Sequence, residues 1–133
     1  VNGRARVAGA ALLALAVLAT RVPFLLPGYG VDPDAWRIAN TGRVIAETGV
    51  YGSSRAPGNP SLELAAALLW RAGPLALDAC SALFGALAVA IFALTLQRLG
   101  CRRWAMGALG FAFTPVIAIN SVNAMDYLWA LAF

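Results

Sequence analysis

The run from Ala79 to Leu96 carries no charged side chain. A stretch of this length is about what a helix needs to cross the roughly 30 Å hydrocarbon core of a bilayer. Only a helix or a closed barrel satisfies its own backbone groups there. Two further runs share the character: Val7 to Leu26, broken only by Arg21, and Trp104 to Ile119, with Pro115 inside it as an expected kink. Tyr127 to Phe133 starts in the same way. The composition agrees, with 61% hydrophobic and 12% charged residues, against about 45–50% and about 25% in soluble domains. The expected fold class is all-α integral membrane. Residues 1–133 read as the amino-terminal part of a multispanning domain: three transmembrane helices at about 7–26, 79–97 and 104–121, and a fourth from about 127. An external loop, 27–77, would carry amphipathic or interfacial helices.

The first run has a competing reading as a secretory signal peptide, with Arg4 and Arg6 before an apolar centre and small residues near Ala14 and Ala16. Against it, the apolar character continues past Arg21 to Leu26, and Arg21 can snorkel to the headgroups. Arginine supplies all the positive charge and gives the topology. Arg4 and Arg6 precede the first span, and Arg98, Arg102 and Arg103 lie between the second and third. The positive-inside rule puts both groups in the cytoplasm, and the two spans between them agree in parity. The expected location is the cytoplasmic (inner or plasma) membrane, multi-pass, with a cytoplasmic amino terminus and residues 27–77 and 126 external.

The net charge of +4 does not point to nucleic acid, because no basic run with interleaved aromatics is present. There is no histidine, which removes histidine triads and most zinc sites. Cys80 and Cys101, about 30 Å apart on a continuous helix, are expected to be free thiols.

Within the loop, Asp32-Pro33-Asp34 looks like a helix start: Asp32 as N-cap, Pro33 at the first helical position and Asp34 near the positive end of the dipole. Ala35, Ile38, Ala39, Gly42, Ile45 and Ala46 then recur at helical spacing, and Gly49 ends the pattern. This predicts an amphipathic helix lying on the membrane. Tyr51 to Pro60 is loop. Ser61 to Trp70 is helical, too short to span, and closed by Arg71-Ala72-Gly73-Pro74.

Three groups of residues can carry chemistry. The pair Asp32 and Asp34 can hold a divalent cation through oxygen ligands or supply a general base; capping explains the same residue types without either. Asp126 at a membrane boundary, near Asn120, Ser121 and Asn123, is a functional-site hypothesis by its position, or the N-cap of the fourth span. Arg37, Arg43 and Arg55 can bind phosphate in a bidentate manner, or snorkel, or pair, as Arg43 can with Glu47 four residues on. Glu63 reads as dipole compensation, and Trp36, Tyr51 and Trp70 as interface anchors.

The order of these features resembles the GT-C superfamily of polyprenyl-phosphate-sugar-dependent glycosyltransferases. Within it, the chain looks like the branch of protein O-mannosyltransferases and aminoarabinose transferases. The resemblance is carried by a first span and then Asp32-Pro33-Asp34 with its helix. Arg55-Ala56-Pro57-Gly58-Asn59-Pro60 follows, then Ser81-Ala82-Leu83-Phe84-Gly85, Arg98 to Arg103, Phe113-Thr114-Pro115 and Asn123-Ala124-Met125-Asp126-Tyr127. It implies inverting transfer of a hexosyl or pentosyl group from a polyprenyl-phosphate-linked donor to an acceptor glycan, lipid or protein on the external face. The base role falls on Asp34 or Asp32, and Asp126 matches the second acidic position. Arg55 and Arg37 would hold the lipid phosphate. Metal-dependent branches would use Asp32, Asp34 and Asp126 for a divalent cation, Mg or Mn. Arg55-Ala56-Pro57-Gly58 stands where many relatives have a His-Pro-Pro-like turn, which leaves acceptor and branch open. The resemblance also implies that these residues alone, without later spans, are inactive. Two rivals remain: part of a transporter or flippase with Asp34 and Asp126 as ion sites, and a non-catalytic membrane scaffold.

Overall fold

The computed structural model describes residues 3–25, 28–29, 32–125 and 127–132. The described residues are mainly helical and contain no strand. The elements are α1 (Gly3–Arg21), α2 (Pro33–Thr48), α3 (Pro60–Leu69), α4 (Pro74–Arg98), α5 (Trp104–Ala112), α6 (Pro115–Asn120) and α7 (Tyr127–Ala132). Short 3₁₀ turns at Val22–Phe24 and Trp70–Ala72 extend α1 and join α3 to α4.

Two segments, Gly3–Phe24 and Pro74–Arg98, are long and apolar enough to cross a membrane. Their surfaces decide between lipid and a soluble core. Only 17% of the apolar window of the first is buried within the chain. Leu12, at 68% exposure, and Leu83, at 56%, are left outside. Water would penalise that much uncovered apolar surface at about 25 cal/mol per Å², so these helices are weakly consistent with a bilayer.

α4 is the central element. It packs antiparallel to α1 and also contacts α3, α5 and α7. Small residues allow the close approach. Ala10 and Val17 of α1 meet Val89 and Ala93 of α4 and Ala108 and Ala112 of α5 in one buried cluster. A Cβ on Gly85 would lie 2.9 Å from Leu128 and 3.0 Å from Ser121. A second cluster sits at the other end, where α2 and α3 form a hairpin over the start of α4. It joins Ala35, Ile38, Ala39, Leu62, Ala66, Leu77, Met125 and Trp129, and Trp129 stacks on Phe84 at 4.2 Å.

Several expected boundaries move. The second long helix begins at Pro74 rather than 79, so Asp78 lies inside it. The third apolar run is two pieces, α5 and α6, broken at Phe113-Thr114. Pro115 has no N–H and biases Thr114 away from helical backbone (ψ 131°). Of α7, six residues are helical. Three spans and a fourth are therefore not established. Arg21 does not snorkel. It is buried (6% exposed), and its Nη2 donates to the Ala112 carbonyl at 2.6 Å, with the guanidinium 5.0 Å from the Phe113 ring centroid. The reason is local: the extended Thr114 before Pro115 carries the Val116 N–H away from the Ala112 carbonyl it would meet in a continuous helix, and that carbonyl binds Arg21 instead. The apolar face of α2 likewise meets protein. Ala35, Ile38, Ala39, Gly42 and Ile45 are buried, while Ala46 is exposed.

Candidate functional site

The start of α2 forms as the sequence requires. Asp32 is the N-cap, its Oδ1 accepting the Asp34 N–H at 2.9 Å, and Pro33 opens the helix. Gly49, with φ 70°, closes it and donates to the Ile45 carbonyl. Capping uses Asp32 and leaves the Asp34 carboxylate at the surface, where two arginines find it. Arg55 Nη1 donates to Oδ2 at 2.9 Å, and Arg37 Nη1 to Oδ1 at 3.2 Å. The Asp34 side chain is 27% exposed, Arg55 33% and Arg37 64%. The Asp34–Arg55 pair joins positions 21 residues apart, so it depends on how the loop folds.

Glu63 sets that loop. Its place in the first turn of α3 fits dipole compensation, but its main work is different. The carboxylate is fully buried and accepts from the Tyr51 hydroxyl, the Ser54 N–H at 2.6 Å and the Ser54 Oγ at 2.7 Å. Burial pushes its pKa up, but the hydrogen bonds from Tyr51 and Ser54 outweigh this and hold it below 4.5. The Tyr51 phenol is pushed up, chiefly by its bond to Glu63. Tyr51 is thus an anchor of the loop as well as an exposed aromatic. Gly58 closes the other side: at φ 96°, a Cβ there would lie 3.1 Å from the Tyr51 hydroxyl. Glu63 fixes residues 51–58, and these carry Arg55 to Asp34.

Of the other predicted residues, Asp126 lies outside the described residues. Its neighbours Met125 and Trp129 share a buried cluster with Ala35 and Ile38 of α2. Arg43 pairs with Glu47 at 4.0 Å and donates to Asn40 at 3.1 Å, all on the exposed side of α2. Both cysteines are free. For a divalent cation, the described donor set fits poorly. Both Asp34 oxygens are held by guanidinium groups, and one Asp32 oxygen is used by the cap. No group of three His, Cys, Asp or Glu side chains gathers among the described residues.

One residue escapes the sequence reading. Asp78, on the second turn of α4, is fully buried and faces the Ala124 backbone, and neither carboxylate oxygen makes a hydrogen bond of ordinary geometry among the described residues. Ser81 Oγ, one turn on, and Trp129 Nε1 are likewise buried without a hydrogen-bond partner among the described residues. After burial itself, the Asp78 charge is what pushes the Tyr29 phenol upward. The signal was present as an acidic residue next to an apolar run, but a span starting at Ala79 leaves it outside.

Compared with protein-family models, with curated proteins and with solved structures, the chain matches none.

Proposed function

We propose that this chain is the amino-terminal part of a multispanning membrane glycosyltransferase that takes its sugar from a polyprenyl-phosphate carrier at the external face. The observation that carries the reading is the carboxylate of Asp34, held at the surface between Arg55 and Arg37. One group can take a proton, and the two beside it match the charge and fork geometry of a phosphate. Asp34 accepts the proton of the acceptor hydroxyl. The freed oxygen attacks the anomeric carbon from the side opposite the leaving group, and the lipid phosphate departs with the bonding pair. Arg55 and Arg37 exchange part of their hold on Asp34 for the phosphate oxygens, which ties donor arrival to release of the base. A general base contributes typically about 10²–10⁴-fold. In the full-length protein, Asp34→Asn should therefore lower the transfer rate by about that factor with folding unchanged. Asp32→Asn should cost stability but little rate. Wild-type transfer by Asp34→Asn removes the assignment.

A second reading, an ion-coupled transporter, is favoured by Asp78 alone. A fully buried carboxylate within a span-length helix, with no ion pair among the described residues, is a typical coupling site. Under that reading Asp78→Asn abolishes coupled uptake into vesicles. Under the transferase reading it leaves sugar transfer measurable.

A further inference from the structure

The end of the bundle opposite α2 and α3 gathers half of the arginines. Arg4 and Arg6 lie at the start of α1, Arg98 at the end of α4, and Arg102 and Arg103 just before α5. None of the six acidic residues falls within residues 3–24 or 97–112. The fold fixes this cluster. Gly100, at φ 75°, turns the chain, with the Cys101 N–H bound to the Leu96 carbonyl at 2.9 Å and the Gly100 N–H to the Gln97 carbonyl at 3.2 Å. That is a complete Schellman turn, and it returns Arg102 and Trp104 towards α1. Gln97 Nε2 then donates to the Arg6 carbonyl at 3.4 Å. The Trp104 ring lies 3.4 Å from where a Gly9 Cβ would be. Between them is a concavity of about 220 Å³ lined by Arg6, Gln97, Gly100, Cys101, Arg102 and Trp104. Leu99 and Met106, each within two residues of a lining residue in sequence, are 72% and 65% exposed.

We propose that this concavity binds the headgroup of an anionic phospholipid. Arg6 and Arg102 line the concavity and form no ion pair among the described residues, so a counter-charge is left to a ligand, and phosphate oxygens match their donors. The position selects a lipid. The cavity lies at the ends of two span-length helices, the level of headgroups, beside a tryptophan of the kind that marks that boundary. Leu99 and Met106 offer apolar surface to the acyl chains. The site uses none of the residues placed in sugar transfer, and rests only on insertion of the long helices in a bilayer.

The exposed thiol of Cys101 reports on it. The full-length protein carrying Cys80→Ser is labelled there with a fluorophore and reconstituted in nanodiscs of phosphatidylcholine with increasing quencher-labelled phosphatidylglycerol. Quenching should saturate and exceed that by equally labelled phosphatidylcholine. Raised salt should weaken it, which needs no variant to fold. Arg6→Gln and Arg102→Gln should each weaken it about fivefold, the factor expected for one arginine near a charged leaflet. Arg43→Gln, at the other end, should leave it unchanged. Equal quenching by the two lipids, or no loss in either arginine variant, overturns the site. Displacement of the lipid by millimolar inorganic phosphate overturns the lipid as its ligand, as does displacement by an acidic polypeptide.

Discussion

Gly42 is where the α2–α3 hairpin is most tightly closed, and its replacement by alanine tests the packing directly. A Cβ built there lies 2.6 Å from both the carbonyl carbon and the Cβ of Ala66 and 2.9 Å from the Ala66 oxygen. Non-bonded carbons rest at about 3.5–4.0 Å, so the helices must separate by about 1 Å. The opposing atoms are mostly backbone and cannot swing aside. Overpacking of this kind costs typically about 1–3 kcal/mol. Alanine returns at most about 1 kcal/mol through helix propensity, leaving a net loss of up to about 2 kcal/mol after a full return. Gly110 of α5 is the internal control, because a Cβ there meets nothing within 4 Å. Gly110→Ala should thus be neutral or stabilising by up to about 1 kcal/mol. The assay is the apparent unfolding temperature in detergent, followed by tryptophan fluorescence. Cysteine cross-linking between α2 and α3 would read the hairpin separately. The two variants should move in opposite directions. An unfolding temperature for Gly42→Ala at or above wild type would refute the close α2–α3 contact, and with it the geometry that brings Arg55 to Asp34.

Glu63→Gln should loosen residues 51–58, with a loss of about 1.5–3 kcal/mol for bonds to a charged group, read as faster proteolysis in that loop. The same carboxylate gives a pH dependence. Its pKa in the fold lies below 4.5, so its contribution is complete above 4.5 and is lost as the pH falls through the depressed value. Loop protection from proteolysis by an acid-active protease should therefore hold at pH 5 and fall below pH 4.5. Arg21→Leu leaves the Ala112 carbonyl unpaired and should cost about 1–3 kcal/mol in thermal stability. Arg21→Lys should recover part of it, which separates the hydrogen bond from simple loss of charge.

Local chemistry is the part that the chain declares by itself. Asp32-Pro33-Asp34 and Gly49 predict the bounds of α2 because a cap, a proline and a left-handed glycine act over one turn. The 3.6-residue spacing of Ala35, Ile38, Ala39, Gly42 and Ile45 gives its buried face for the same reason. The uncharged runs give the two long helices, and the arginines mark one end of the bundle. Other features depended on partners far away in sequence. Glu63 looks like a dipole charge until Tyr51 and Ser54 close on it. Arg21 looks like a snorkelling residue until the break before Pro115, some ninety positions on, offers it a carbonyl. Arg55 and Asp34 each admit several readings, and only the folded loop puts them 2.9 Å apart. Asp78 is an acidic residue near a helix start in the sequence, and a fully buried carboxylate facing the Ala124 backbone in the fold. Short-range steric and capping effects are written in neighbouring residues, whereas the pairing of charges is decided by packing, which no local pattern specifies.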